Sequence, residues 1–120
     1  MLTGASAYMA QAKLDREQMR SQNKETLLSI INNEELTEDE RQNAVESMVA
    51  ITENVEKEAA AEMLLEAQGF TDSVVNLTGD TADIVVPMSQ LGEDQRAQIE
   101  DIVTRKTGVQ AENIVITPID

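Results

Sequence analysis

Acidic side chains are the residues whose type and spacing come nearest to catalytic chemistry in this sequence. Adjacent carboxylates occur as Glu34 with Glu35, as the run Glu38–Asp39–Glu40, as Glu93 with Asp94, and as Glu100 with Asp101. Paired carboxylates can act as general acid and base or bind a divalent cation. Adjacent helical residues, however, point about 100° apart. We therefore interpret these pairs as solvated surface and keep a carboxylate-based metal-binding or hydrolytic domain as the alternative function.

Asp80 and Asp83 flank a predicted turn, where they could hold a cation loosely. The alternating aspartates and the central glycine of an EF-hand loop are missing around them. Ordinary turn chemistry accounts for Asp80, because aspartate favours turns.

The composition excludes several other chemistries. The 120 residues include no Cys and no His, so thiol or histidine nucleophiles and ordinary structural zinc sites are ruled out. No catalytic residue, metal site or cofactor is predicted. The formal net charge is −14, and residues 34–70 alone carry −9. Such a chain repels phosphate backbones, so nucleic-acid binding is not expected.

One long helix is predicted from Ser6 to Ile31, a stretch without Gly or Pro. Its part between Lys13 and Lys24 is almost wholly polar and cannot bury much against a core. We expect that part to project into solvent or to await a partner.

A second helix should begin at Thr37, which forms a capping-box pattern with Glu40, and should stop at Gly69. Its methionines, Met48 and Met63, are expected to pack in the core. The predicted apolar face comprises Val45, Met48, Val49, Thr52, Val55, Ala59 and Met63, widened by Ala60, Leu64 and Ala67.

The pattern changes to short β-branched runs after Gly69. Residues 73–77 and 82–86 form a predicted hairpin, residues 92–106 a third helix, and residues 113–117 a last strand. The order is therefore α-α-β-β-α-β, an α+β fold in which helices cover one face of a three-stranded sheet.

The predicted covered face comprises Val75, Leu77, Ile84, Val86, Ile114 and Ile116. The opposite face, with Val74, Val85 and Val115, remains apolar enough to dock a partner. Two units are predicted, a helix and linker over residues 1–35 and a domain over residues 36–120.

This element order is also that of KH-type RNA-binding modules, which grip RNA with a GXXG loop. The chain has five glycines, none of them three residues from another, so an RNA-binding module is not expected.

The chain closely resembles the C-terminal extracellular region of the stage III sporulation protein AH family of endospore-forming bacteria. The stretches that carry the resemblance are EAQGFTDSVV (residues 66–75), TADIVVP (residues 81–87) and IEDIVTRKTGVQAENIVITPI (residues 99–119). These are packing features that extend over essentially the whole chain, and they include no catalytic motif.

The resemblance implies a ring-building-motif fold, similar to ring proteins of type III secretion systems and flagellar basal bodies. It implies a non-enzymatic assembly domain that binds the exported domain of stage II sporulation protein Q in the intermembrane space around the forespore. It further implies a homo-oligomeric ring, a role in engulfment, and a channel from mother cell to forespore. Members are anchored in the outer forespore membrane by an N-terminal span, which these 120 residues do not include.

The partner contact in this family resembles docking by a helix or by a sheet edge. Carried to this sequence, it falls on the first strand and on the polar first helix. The candidate partner-binding residues are Tyr8, Met9, Met19, Val74, Val75, Asn76 and Leu77.

Overall fold

A computed structural model describes residues 4–119 of the chain. Three helices, α1 (Gly4–Ile31), α2 (Glu38–Ala67) and α3 (Glu93–Thr107), combine with three strands, β1 (Val74–Thr78), β2 (Thr81–Val86) and β3 (Ile114–Pro118). A short 3₁₀ turn, Ala111–Asn113, precedes β3. The predicted α+β class and element order are confirmed.

The helix ends follow the predicted capping signals. The Thr37 side chain accepts a hydrogen bond from the Glu40 amide at 3.2 Å, which starts α2. Gly69, with φ of 99°, ends that helix, and Gly108, with φ of 80°, ends α3. Both glycines occupy the left-handed region that other residues adopt only at a cost.

The strands form one sheet in the order β1-β2-β3. β1 pairs antiparallel with β2 through a tight hairpin, in which Val75 lies opposite Ile84. β3 is parallel to β2, with Ile116 opposite Ile84, because α3 carries the chain back across the sheet.

Helices α2 and α3 cover the predicted face of the sheet. Its six predicted positions are buried, except Ile116, which is half-buried but packs against the core. The buried core cluster comprises Ala61, Leu65, Phe70, Val75, Leu77, Ala82, Ile84, Val86, Ile99, Ile102, Val103 and Ile114. On the opposite face Val115 is exposed, as expected, whereas Val74 is buried.

The predicted core-facing stripe of α2 is wrong at most of its large side chains, although Leu64, at its edge, does pack against the core. Val45, Val49, Val55 and Met63 are all exposed. The buried positions of α2 are instead Ala44, Glu58, Ala61 and Leu65. Ala61 and Leu65 lie two residues either side of Met63, and two residues turn a helix by about 200°. The helix therefore buries the side that carries Ala61, Leu65 and Glu58, and turns Met63 outward.

The polar part of α1 does not project freely into solvent. Its four basic residues, Lys13, Arg16, Arg20 and Lys24, are half-buried in a groove of about 480 Å³ against α2. Apolar burial on α1 is limited, among the residues described, to Ala5 and Met9. The helix is thus attached to the domain mainly by charged side chains.

Candidate partner interface

The candidate partner-binding residues fall into an exposed and a buried group. The exposed residues are Tyr8, Met19 and Asn76. The buried residues are Met9, Val74, Val75 and Leu77, each with at most 6% of its surface exposed. Side chains of the second group help to position α1 and β1 and are not available to a partner in this conformation.

The outer edge of β1 is capped by side chains from both long helices. The Val75 amide donates to Glu62 Oε2 at 2.8 Å, and the Leu77 amide donates to Glu58 Oε2 at 2.7 Å. Arg16 Nη1 donates to the Val75 carbonyl oxygen at 2.6 Å. Two amides and one carbonyl that the edge strand would otherwise present to another chain are therefore occupied.

The spacing of the two glutamates explains why both of them can accept hydrogen bonds from the amides of β1. Residues four apart on a helix, such as Glu58 and Glu62, are separated by about 6 Å along the axis. Alternate residues on a strand, such as Val75 and Leu77, are about 6.8 Å apart. One face of α2 therefore offers two carboxylates nearly in register with two outward amides. Ala61, which is buried beside them, allows the helix to approach closely.

Two arginines of α1 neutralise the glutamates. Arg20 makes a two-point contact with Glu58, in which Nη2 donates to Oε2 at 2.6 Å and Nη1 donates to Oε1. Arg16 Nη1 lies 3.1 Å from Glu62 Oε2 and 3.7 Å from Glu58 Oε1. The hydrogen bond to Glu58 raises the pKa of Arg20, against the opposing effect of burial. Glu58, only 1% exposed, is thus a charge buried with its partners.

None of these four residues was predicted from the sequence to form a site. Arg16 and Arg20 are four apart on α1, and Glu58 and Glu62 are four apart on α2 within the run Glu-Ala-Ala-Ala-Glu. Opposite charges at matching spacing on two adjacent helices were the available signal. Nothing in the sequence shows that the glutamates also bind a strand.

The other edge of the sheet, formed by β3, has few backbone amides that are free to pair with another strand. The Ile119 amide donates to the Val86 carbonyl. Because strand residues alternate in direction, the amides of Ile114 and Ile116 point outward on β3. The Ile114 amide is taken by the Ala111 carbonyl. Pro118, which has no amide hydrogen, holds the next outward position. At the β3 edge the Ile116 amide is therefore the outward donor that remains for a partner strand, whereas the β1 edge is occupied by side chains.

A groove between α1 and the β1–β2 hairpin brings together three of the candidate residues. It has a volume of about 490 Å³ and is lined by Met19 on one side and by Asn76 and Leu77 on the other. Tyr8 lies eleven residues before Met19, or three turns of helix, and so shares its face of α1. We call this surface, formed by Tyr8, Met19 and Asn76, the α1–β1 surface.

Acidic residues do not converge elsewhere on the domain. Within residues 4–119, no group of three or more acidic side chains is arranged to hold a metal ion. Asp101 forms an exposed ion pair with Arg105 at 3.1 Å.

No helix of the described chain has an apolar run long enough to cross a bilayer.

Comparison with known proteins identifies relatives over most of the chain. The model of the family described as SpoIIIAH-like protein matches residues 2–116. Stage III sporulation protein AH of Bacillus subtilis (strain 168) is 31% identical over 94 residues, which are 78% of this chain and 43% of that relative. The chain thus spans less than half of the curated relative's length.

A solved structure shares the fold closely. It is described as the structure of the SpoIIQ-SpoIIIAH pore forming complex, and its matching chain is 27% identical to this one with a TM-score of 0.81. The match covers 91% of this chain and 94% of the other.

Proposed function

Because this chain belongs to the SpoIIIAH-like family, we propose that it is a non-enzymatic assembly domain of sporulation that binds the exported domain of stage II sporulation protein Q. The observation that carries the proposal is the structural match over 91% of the chain to one component of a complex between those two kinds of protein. The match includes at least part of each of α1, α2 and α3, because the 9% of the chain that it leaves out is shorter than any of these helices.

The α1–β1 surface is the part of the domain that we assign to this contact. Tyr8 and Met19 are more than half exposed, although both are large and partly apolar. Aromatic and methionine side chains are enriched in interfaces. Asn76 adds a hydrogen-bonding group on the opposite wall of the groove.

The four charged side chains Arg16, Arg20, Glu58 and Glu62, which we call the ionic cluster, hold this surface in place. Arg16 and Arg20 fix α1 against α2, while Glu58 and Glu62 fix β1. The two walls of the groove are thereby connected through the same four side chains. A partner that binds across the groove meets a preorganised surface, which lowers the entropic cost of association.

The proposed location in the cell is the one implied by the resemblance to the stage III sporulation protein AH family. In this proposal the full-length protein is anchored by an N-terminal span in the outer forespore membrane of the mother cell. The domain lies in the intermembrane space, where pairing with its partner supports engulfment and contributes to a channel between the two cells. Ring formation by several copies belongs to the same proposal.

The test is direct association of the two purified domains. This chain and the exported domain of stage II sporulation protein Q are mixed at tens of micromolar and analysed by size-exclusion chromatography with light scattering. We expect a peak with the summed mass of both partners. Elution as two independent species at that concentration would contradict the proposal.

A further inference from the structure

Helix α1 lies outside the hydrophobic core of the domain. Among the residues that the structure describes, no apolar side chain of α1 belongs to the core cluster or packs against it. The cluster is built from α2, α3 and the three strands, together with Phe70 in the turn between α2 and β1. The sheet and its two covering helices therefore enclose a complete core without α1.

The attachment of α1 is ionic over its middle turns. Arg16 and Arg20 bind Glu62 and Glu58, and Arg16 also donates to the Val75 carbonyl. An ion pair taken out of water loses hydration as it gains its partner, so its net contribution is much smaller than its attraction. The ionic cluster therefore fixes the position of α1 without binding it as firmly as an apolar interface of the same length would.

Release of α1 leaves no charge buried without a partner. Glu58 and Glu62 keep their hydrogen bonds from the amides of Leu77 and Val75, which belong to β1. Both glutamates line the groove between α1 and α2, so departure of α1 exposes their carboxylates to water. The β1 amides stay paired, and the rest of the domain keeps its structure.

The apolar contacts of α1 lie near its two ends. Ala5 and Met9 are buried close to its start, whereas Leu27 and Ile30 are half-buried next to the turn that leads into α2. The second pair stays close to α2 in any case, because residues 32–37 join the two helices. We therefore propose that α1 detaches as a unit about this turn while α2, α3 and the sheet stay folded, and that the ionic cluster controls the detachment.

Detachment of α1 removes the α1–β1 surface. Met19 lies on α1 and Asn76 on β1, so the groove between them exists only while α1 is attached. A ligand of this groove binds the attached form alone and shifts the equilibrium toward it. Detachment itself requires no ligand, so it is testable on this chain without any partner.

The test labels single thiols in the folded protein. The chain contains no Cys, so one introduced Cys is its only thiol. Met9→Cys places a thiol on α1 at a residue that is 2% exposed, and Ala82→Cys places one in the core at a residue with no exposed surface. A maleimide reagent reacts with either thiol only when it becomes exposed, and each rate is divided by that of the same variant in concentrated urea.

The thiol at position 9 should react faster than the thiol at position 82 by about tenfold or more, because detachment of α1 requires less free energy than global unfolding. Equal corrected rates would overturn the proposal, since both positions would then open only when the whole domain unfolds.

Two substitutions in the Met9→Cys protein distinguish detachment of α1 from fraying of its first turns. Arg20→Gln leaves Glu58 buried without its cation in the attached form only, so it should speed the reaction by about tenfold or more. Arg20 lies eleven residues beyond Met9, or three turns of helix, which is too far to affect fraying. Lys24→Gln, which removes a charge of α1 outside the ionic cluster, should change the rate by less than about threefold. Equal rates in the two variants would assign the exposure of position 9 to fraying and overturn the proposal.

A core substitution distinguishes detachment from global unfolding. Ile99 is fully buried in the core cluster on α3. Ile99→Val should speed the reaction of the thiol at position 82 by about threefold or more and leave that at position 9 unchanged. The same acceleration at both positions would show that α1 leaves only when the core unfolds, which would also overturn the proposal.

Discussion

The carboxylate of Glu58 accepts a hydrogen bond from the backbone amide of Leu77 at 2.7 Å, and it also binds the guanidinium group of Arg20. One buried side chain of α2 therefore connects the edge of the sheet to the N-terminal helix. Glu62 repeats the arrangement one turn later with Val75 and Arg16. The helix supplies the acceptors that a neighbouring strand would supply, so the edge is protected without a further strand.

Replacement of Glu58 by alanine should destabilise the domain by about 3–5 kcal/mol, because Arg20 and the Leu77 amide would lose a buried partner. Urea unfolding measures the loss as a fall in the midpoint at an unchanged slope. Glu53→Ala, at an exposed acid of the same helix, should change stability by no more than about 0.5 kcal/mol. Equal effects of the two substitutions would show that the cluster does not support the fold.

Replacement of Arg20 by lysine tests the two-point contact and its pH dependence. The pKa of Arg20 is raised in the folded state, so its contribution to stability is present below its ordinary pKa and is lost only above it. The wild-type contribution should therefore stay constant from about pH 7 to pH 10. The lysine variant should be less stable by about 1–2 kcal/mol at neutral pH, because one of the two bonds is lost.

The stability gap between the wild type and this lysine variant should widen at higher pH. Lysine loses its proton at an ordinary pKa of about 10.4, whereas arginine stays charged. Unfolding curves of both proteins at pH 7, 9 and about 10.5 measure the gap. A gap that is the same at every pH would contradict the ionic role of this position.

Much of the fold could be predicted because its signals are local. Gly69 and Gly108 end helices at the predicted places, and the alternation of Val75, Leu77, Ile84 and Val86 correctly marks the covered face of the sheet. Such patterns depend on a few neighbouring residues, and the chain has few competing turns in these regions.

The side of α2 that faces the core could not be predicted from periodicity. The stripe containing Val49 and Met63 is more apolar than the side that the protein buries, which carries Glu58. Burial of that glutamate depends on Arg20, thirty-eight residues earlier, and on an amide of β1. A sequence pattern within one helix contains no information on such distant partners.

The methionines of α1 likewise could not be sorted into buried and exposed residues from the sequence. Met9 is buried and Met19 is exposed, although both lie on a helix with little apolar patterning. Met9→Ala should cost about 2–5 kcal/mol of stability through the cavity that it leaves. Met19→Ala should cost no more than about 0.5 kcal/mol. Thermal or urea unfolding of both variants checks the difference, and a comparable loss in Met19→Ala would place that residue in the core.

The most direct test of the account is calorimetric titration of the exported domain of stage II sporulation protein Q into three forms of this domain: the wild type, Met19→Asp and Leu14→Asp. Both substitutions place a carboxylate at an exposed apolar position of α1, but only Met19 belongs to the α1–β1 surface and lines its groove. We predict saturable binding to the wild type and to Leu14→Asp, and about tenfold or weaker binding to Met19→Asp, because its carboxylate would be desolvated in the interface. Equal affinity of all three forms would contradict the α1–β1 surface as the binding site, and no binding to any of them would contradict the proposed function itself.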